Sequence, residues 1–347
     1  MPAAFPSAQS VFVRSHEASG KLVIDFARNP RDFSVNAYVQ VKPVEKVAGY
    51  YLRMTVEEAG RIQQSDLRDY IWYDGDPAPE GVDNKESHLW LPFTCNRYSY
   101  PVTLGNLTVE QATWDIVAQY ASIEARKAMT ARTQKVITAA TTTSNWDATH
   151  YIDVSSITDA SGDWMQSTVA RQDIKRSLEY AALIIMKDTL SAIDPQRDLR
   201  LVINPEDAAG LSRTQEIVDY IKSSPQALAQ VKGELGGRNA LFGLPDKLYG
   251  FDLVVEKTVK VSSRKGATAV REFVLPSGTA LLVSRPGGLE GVAGAPSFST
   301  LSIFAAEEMT AETLNDVNNR RVQVRVVENY TAEVTAPASG FMFQNIS

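Results

Sequence analysis

The residues of this sequence best suited to metal binding or nucleophilic catalysis are three histidines and one cysteine. His16, His88 and His150 lie far apart, and none stands at metal-ligand spacing from the cysteine or from an acidic residue. Cys95 has no second cysteine with which to share a structural zinc ion, and it lies in an apolar β-like run, "PFTCNRY". We therefore interpret each histidine as a surface or hairpin residue and the thiol as buried and inert.

The segment 199–211, "LRLVINPEDAAGL", raises the question of phosphate binding, because strand-to-helix turns often bind anions. Asn204 is a favourable N-cap, and Pro205 suits the first helical position. Asp207 stands where a capping box places its acidic partner. An anion at this helix start would meet the carboxylates of Glu206 and Asp207, and no glycine precedes the turn. The sequence therefore predicts a capped turn and not a nucleotide site.

Other signatures of catalysis are missing from the sequence. It contains no Gly-Lys-Ser/Thr phosphate loop, no Rossmann glycine fingerprint and no Gly-x-Ser-x-Gly elbow. The acidic pairs 57–58 and 307–308 are adjacent in sequence, so their side chains point in different directions and form no acid/base dyad by themselves. We expect no enzymatic activity and no cofactor. The alternative from another class is an α/β enzyme with an unrecognised site.

The composition predicts a globular chain that does not bind nucleic acid by neutralising its phosphates. The chain has 347 residues, of which 44% are hydrophobic and 22% charged, and its net charge is −6. Proteins that bind by neutralising phosphates need a basic face, which this acidic balance does not favour. One cysteine allows no intrachain disulfide and fits a bacterial-type cytosol. No stretch approaches 18 apolar residues, so we expect no membrane span.

The N-terminal part carries more apolar surface than it can bury by itself. Residues 1–41 mix Pro, Ser and Ala with scattered aromatics, which predicts an ordered, extended arm. Residues 42–102 contain two β-like runs around the turn-rich "YDGDPAPEGVDNK", which predicts a long, projecting β-hairpin loop. Exposed aromatic residues on such a hairpin indicate an interface. The candidate inter-subunit contacts are Phe5, Phe12, Arg68, Trp72, Tyr73, Asp74, Lys85 and Trp90.

Helical patterns follow the hairpin, and β-like patterns close the chain. A capping box at Thr108 and Gln111 and a stretch without Gly or Pro predict one helix over about residues 107–140, close to 50 Å long at about 1.5 Å per residue. A second helix is predicted over about residues 168–191, with Leu183 on its apolar face. The remainder is mostly β, and Val324 belongs to an alternating, half-buried strand. These elements predict the α+β class.

The order of these elements resembles that of the Hong Kong 97-type major capsid proteins of tailed, double-stranded DNA bacteriophages. The spine helix of that family corresponds to "TVEQATWDIVAQYASIEARKAMTARTQ". Its axial domain corresponds to "DLRLVINPEDAAGLSRTQEIVDYI" with "LFGLPDKLYGFDLVVEKTV", and its final strands to "RVQVRVVENYTAEVTAPASGFMF". The order of the elements carries the resemblance, rather than any single motif.

The resemblance implies a domain organisation and a structural role. It implies an N-terminal arm (1–41), an extended loop (42–102), a peripheral domain with the spine helix (103–165 and 301–347) and an axial domain (166–300). It further implies pentamers and hexamers of an icosahedral shell that encloses double-stranded DNA without reading its sequence. The implied partners are copies of the same chain, a separate scaffolding protein, a portal and a decoration protein. The implied location is the virion, assembled in the bacterial host cytoplasm.

Two further possibilities come with the resemblance. The same fold forms the shell of bacterial encapsulin nanocompartments, which enclose a cargo enzyme, although an extended arm and a long loop favour the phage. Some members of the capsid family cross-link a loop lysine to an asparagine of a neighbour. Here Lys85 and one of Asn315, Asn318 or Asn319 would take those roles, and ordinary surface residues are the alternative.

Overall fold

The structure of the protein is a computed structural model. It describes residues 12–13, 33–54, 74, 88–111, 115–157, 162–189, 191, 193–263, 266–284 and 299–347. Two larger sheets and the helices packed on them form the body, and a two-stranded ribbon joins the body near residues 47 and 95.

The first sheet is built around a long antiparallel hairpin. Its strands are β1 (Phe12–Val13), β2 (Gln40–Pro43), β5 (Asn96–Gly105), β13 (Leu301–Asp316) and β14 (Arg321–Val334). The strand order is β1-β13-β14-β5, and β2 pairs in parallel with the start of β13. Val324 and Val326 are buried on one face of β14, which confirms the alternation predicted there.

A long helix crosses this sheet, but it is shorter than predicted. Strand β5 ends at Gly105 and leads directly into the short helix α2 (Asn106–Gln111), so Thr108 lies inside a helix and is not an N-cap. The long helix α3 (Ile116–Thr141) starts after Asp115, whose side chain accepts a hydrogen bond from the backbone N–H of Ala118 at 3.0 Å. The prediction of one helix from about 107 was therefore wrong, because Asp115 is non-helical and caps a new helix. At about 1.5 Å per residue, α3 is about 39 Å long.

Small residues let α3 approach the sheet closely. Ala121, Ala125 and Ala128 are buried against the apolar side chains of β5 and β14, including Val324 and Val326. An alanine at the contact brings the helix backbone nearer to the strands than a longer side chain would. The helix ends where the Trp146 indole N–H donates to the carbonyl of Ala140 at 2.7 Å.

The second sheet has six strands and mixes residues from distant parts of the chain. Its strands are β6 (Tyr151–Asp153), β7 (Leu199–Ile203), β8 (Lys247–Leu248), β9 (Phe251–Val255), β12 (Thr279–Ser284) and β15 (Phe341–Gln344). Their order is β6-β15-β12-β7-β9-β8. The strands β6 and β15 thus share a sheet with strands of the segment 166–300. The division into peripheral and axial domains stays a prediction.

Helices pack on this sheet and close its core. They are α4 (Asp173–Asp188), α5 (Pro195–Asp198), α6 (Pro205–Leu211), α7 (Gln215–Ser223) and α8 (Pro225–Val231). Helix α4 buries Ile174, Leu178 and Ile185, as predicted. Leu183 is 56% exposed, so its predicted place on the buried face was wrong. It stands two residues after the buried Ala181, which turns its side chain about 200° away around the helix.

The remaining elements are short or belong to the ribbon. They are α1 (Val35–Tyr38), β3 (Ala48–Met54), β4 (His88–Thr94), β10 (Val259–Val261) and β11 (Arg271–Phe273). Helix α1 is held in the core, because the Tyr38 hydroxyl donates to the Glu256 carboxylate at 2.6 Å. Over the described residues, no helix has the length and apolar character needed to cross a membrane.

The predicted turn after β7 is present, with one difference. The Asn204 side chain accepts a hydrogen bond from the backbone N–H of Glu206 at 2.7 Å, which confirms the N-cap. Asp207 does not complete a capping box. Its carboxylate accepts from the Ser277 hydroxyl at 2.6 Å and from the Gly278 N–H at 2.9 Å. The capping-box prediction was wrong because the turn before β12 supplies two donors to this carboxylate.

Candidate functional site: a projecting β-ribbon

Strands β3 and β4 form a two-stranded antiparallel ribbon outside both large sheets. Seven residue pairs are in register, from Ala48 opposite Thr94 to Met54 opposite His88. A two-stranded ribbon alone is marginally stable in water. Its base is therefore the part that must fix it to the body.

Aromatic packing anchors that base. The Phe93 ring stacks on Phe304 of β13 with ring centroids 4.7 Å apart, and Tyr51 packs on the same ring at 5.3 Å. A Cβ atom at Gly49 would lie 3.0 Å from the Phe93 ring, so glycine permits this contact. Cys95 is 3% exposed and its thiol donates to the carbonyl of Phe304, which confirms the prediction of a buried thiol.

The outer face of the ribbon is aromatic and exposed. Residues opposite each other in an antiparallel pair share a face, and Tyr50 stands opposite Pro92 while Leu52 stands opposite Trp90. Tyr50 is 68% and Trp90 63% exposed. Large aromatic side chains near the centre of an interface carry much of its binding energy, and these two lie on one face within reach of each other. We call the face formed by Tyr50, Trp90 and Pro92 the ribbon face.

The structure places only some of the predicted contact residues. Trp90 lies on the ribbon face, and Asp74 is exposed in a turn. Phe12 lies on β1, whose backbone pairs with β13 opposite Leu314. Outside the described residues lie Phe5, Arg68, Trp72, Tyr73 and Lys85. The sequence patterns did not identify Tyr50 as a contact residue, although it lies in the β-like run "AGYYLRM".

One of the three asparagines proposed for cross-linking has a folding role. The Asn319 side chain donates to the Asp316 carboxylate at 2.7 Å, and the Arg321 guanidinium donates to the same carboxylate at 2.9 Å. These contacts close the turn between β13 and β14. The hydrogen bond from Asn319 lowers the pKa of Asp316, and Arg321 adds to that effect. A cross-link between Lys85 and one of Asn315, Asn318 or Asn319 stays a prediction.

The histidine with the clearest surroundings is structural. His150 is fully buried, so its interpretation as a surface residue was wrong. Its Nδ1 lies 2.7 Å from the carbonyl oxygen of Gly340, and its Nε2 lies 2.8 Å from the Asp188 carboxylate. The imidazole thus joins the end of α4 to the start of β15. His88 lies in β4, and His16 lies outside the described residues.

No candidate metal site appears among the residues that the structure describes, since they contain no suitable group of three His, Cys, Asp or Glu side chains. A cleft of about 620 Å³ lies between the end of α3 and the β10–β11 ribbon. Its charged lining residues are two acids and two bases, namely Glu206, Glu272, Lys260 and Arg271. Such a balanced lining gives no preference for a charged ligand.

Among the residues that the structure describes, one carboxyl group with a strongly raised pKa lies in the core and not in a cleft. Glu328 of β14 is fully buried under α3, and its carboxylate lies 3.1 Å from the Arg132 guanidinium. Burial raises the pKa of Glu328 to about 7, and the nearby Arg132 charge offsets part of that effect. The guanidinium also lies over the Tyr330 ring, 5.2 Å from its centroid. Perturbed groups often mark active sites, but here they belong to the helix–sheet contact.

Sequence comparison places the chain in no family, whereas structural comparison identifies its fold. No protein-family model matches the sequence, and no curated protein matches it. A phage-related protein from Bordetella bronchiseptica RB50 is 13% identical, with a TM-score of 0.63 over 96% of this chain and 98% of that chain. The capsid of the cyanophage P-SCSP1u is 11% identical, with a TM-score of 0.53 over 90% of this chain and 88% of that chain. The chain therefore has the Hong Kong 97-like fold, which confirms the predicted fold class.

Proposed function

We propose that this chain is the major capsid protein of a tailed, double-stranded DNA bacteriophage, and that it assembles into pentamers and hexamers of an icosahedral shell. The observation that carries the proposal is the fold shared with the cyanophage capsid over most of both chains. The chain's role in this proposal is structural and not enzymatic. Shells of this kind need surfaces that one copy leaves uncovered and a neighbouring copy covers.

The ribbon face supports this proposal from the chemistry of the chain itself. Tyr50 and Trp90 stand on a ribbon whose base is anchored to Phe304, and the two side chains are 68% and 63% exposed. Aromatic side chains of this size bury about 150–250 Å² each when they are covered. We infer that the ribbon face binds a neighbouring copy. The other predicted inter-subunit contacts, which are part of the same proposal, are Phe5, Phe12, Arg68, Trp72, Tyr73, Asp74 and Lys85.

The remaining partners are part of the proposal and follow from the proposed role. A scaffolding protein, a portal and a decoration protein would act on the assembling shell, and double-stranded DNA would be enclosed in it. The protein would assemble in the bacterial host cytoplasm and end in the virion. The proposed division is arm 1–41, extended loop 42–102, peripheral domain 103–165 with 301–347, and axial domain 166–300.

Assembly of the purified chain tests the proposal. We expect the wild-type protein to form rings or shells by size-exclusion chromatography and negative-stain microscopy. The double substitution Y50S/W90S removes the aromatic ribbon face from exposed positions, so the fold should survive while assembly weakens. A loss of about 2 kcal/mol per anchoring residue raises the concentration needed for assembly well over tenfold.

The control is V261S, which removes one exposed apolar side chain (59% exposed) from β10, away from the ribbon. It should assemble like the wild type. A wild-type chain that stays monomeric at all concentrations would refute the proposed function. Unchanged assembly of Y50S/W90S would refute the role of the ribbon face alone.

A further inference from the structure

The second sheet ends in two different strands, so its two sides offer two unlike contact surfaces. Strand β6 lies at one end of the order β6-β15-β12-β7-β9-β8, and β8 lies at the other. Neighbouring strands are about 4.8 Å apart, so the two ends of this sheet are about 24 Å apart. A ring of identical copies joins each copy to the next through two different surfaces of the same chain. The two ends of this sheet meet that requirement.

A groove lies at the β6 end, between this strand and the second half of helix α4. Its volume is about 360 Å³. The lining includes two residues of β6 and three of α4, namely Tyr151, Ile152, Tyr180, Ile184 and Lys187. Four of these five side chains are aromatic or aliphatic, so the groove suits an apolar side chain. We call it the α4 groove.

The exposed side of α4 extends this groove with a further apolar side chain. Leu183 is 56% exposed and Tyr180 38%. Positions 180, 183, 184 and 187 are three or four residues apart, so they share one side of the helix. Leu183 therefore stands beside the groove, although its periodicity suggested a buried place. Exposed apolar side chains grouped around a groove indicate a contact surface.

The opposite end of the sheet carries a projecting loop, residues 232–243. The Asn239 side chain donates to the carbonyl of Leu253 in β9 at 3.0 Å, which ties the loop to the strand next to β8. Two leucines of this loop are among the exposed apolar residues of the chain: Leu235 is 62% exposed and Leu241 85%. The loop thus holds two leucines in positions from which a neighbouring molecule can cover them.

One charged side chain on each surface makes the two ends complementary. Lys187 is exposed at the α4 groove, and Glu234 is exposed directly before Leu235 of the loop. The other charged groups nearby have a partner or lie at a helix end, which the helix dipole favours for a cation: Asp188 with His150 at 2.8 Å, Arg238 with Asp246 at 3.8 Å, and Lys232 at the C-cap of α8.

We propose that the leucines of loop 232–243 in one copy enter the α4 groove of the next copy. Glu234 then lies against Lys187 across the contact. The inference rests on the proposed function, since it names the two surfaces that join neighbouring copies within a pentamer or hexamer. The occupant is a second copy, because the far end of the same sheet carries leucines that suit the apolar lining and a carboxylate that suits Lys187.

Charge reversal tests this contact on the full-length chain. K187E and E234K each place like charges opposite each other, so each variant should need at least about a tenfold higher concentration to assemble. The double variant K187E/E234K restores opposite charges and should assemble like the wild type. L241S removes the more exposed leucine and should weaken assembly as well. The matched control K222E on α7, with a side chain 69% exposed, should assemble like the wild type.

Mixing the two single variants separates a contact between copies from an effect within one copy. In a ring of six, alternating K187E and E234K chains bring opposite charges together at every contact. A 1:1 mixture should therefore form rings at a concentration at which neither variant does so alone. Size-exclusion chromatography and negative-stain microscopy measure assembly, and circular dichroism checks that each variant is folded, as expected for substitutions at exposed positions.

Assembly of K187E and E234K at the wild-type concentration would overturn the inference. So would a failure of both the double variant and the mixture to assemble while the control does. A wild-type chain that stays monomeric would refute the proposed function itself, whereas an assembling wild type with unaffected single variants refutes only this inference.

Discussion

The buried pair Arg132–Glu328 makes stability depend on pH in a direction that the substitution Glu328→Gln tests. Glu328 is fully buried, and the Arg132 guanidinium at 3.1 Å is its one charged neighbour among the ion pairs of the described residues. Burial penalises the ionised form more than Arg132 favours it, so the pKa of Glu328 is raised from 4.5 to about 7. Glutamine keeps the shape of the side chain and removes its titration.

The sign follows from the direction of this shift. In the folded protein Glu328 holds a proton up to a higher pH than in the unfolded chain, because its folded pKa is raised. The stabilising contribution is therefore complete below about pH 4.5 and is lost as the pH rises through about 7. One pKa unit corresponds to about 1.36 kcal/mol, so the rise of the pKa from 4.5 to about 7 gives a loss of about 3 kcal/mol. The free energy of unfolding of Glu328→Gln minus that of the wild type should therefore be about 3 kcal/mol larger at pH 8 than at pH 4.5.

Urea unfolding of the unassembled chain at a fixed concentration, at several values between pH 4.5 and 8, measures this difference. Comparing variant with wild type at each pH cancels the titration of all other groups. The control is Glu308→Gln on β13, an exposed carboxyl group, whose free energy of unfolding should follow that of the wild type within about 0.5 kcal/mol. If the difference between Glu328→Gln and the wild type does not change with pH, the carboxyl group does not keep its proton in the fold and the reasoning fails.

Two further substitutions test the cores of the two sheets. Ile217→Asp should abolish soluble expression, because Ile217 is fully buried on α7 and the charge would have no partner. The control Ile123→Asp, at a residue of α3 that is 39% exposed, should fold. A soluble Ile217→Asp protein with the circular dichroism spectrum of the wild type would contradict this prediction. The double substitution R132M/E328L should be neutral or stabilising by about 1–4 kcal/mol at pH 8, measured by urea unfolding, and marked destabilisation would show that the pair supplies net stability.

Local patterns in the sequence predicted the elements whose signals are themselves local. The Asn204 cap and the buried stripe of Ile174 and Leu178 depend on residues a few positions apart, and both are present. The start of α3 was wrong because Asp115 competes with the capping box at Thr108, and periodicity does not rank two possible starts.

The errors at Asp207 and His150 have a shared cause. Each side chain takes its partners from a distant segment: Asp207 from Ser277 and Gly278, and His150 from Gly340. A single sequence carries no signal for such pairs, since neither spacing nor composition relates positions 70 or 190 residues apart. The ribbon face was predicted only in part for a similar reason. Trp90 was named from its type, whereas Tyr50 becomes a candidate once the register places it on the same face.

The buried pair also explains how a helix with an alanine-rich contact face is held in one position. Ala121, Ala125 and Ala128 repeat at nearly one turn, so a shift of α3 by one turn, about 5.4 Å, would place alanine where alanine was. The same shift would move Arg132 away from Glu328 and leave a buried carboxyl group without its charged partner, which costs about 3–5 kcal/mol. We infer that the pair fixes the register of α3, and hydrogen exchange along α3 in R132M/E328L should then show mixed protection.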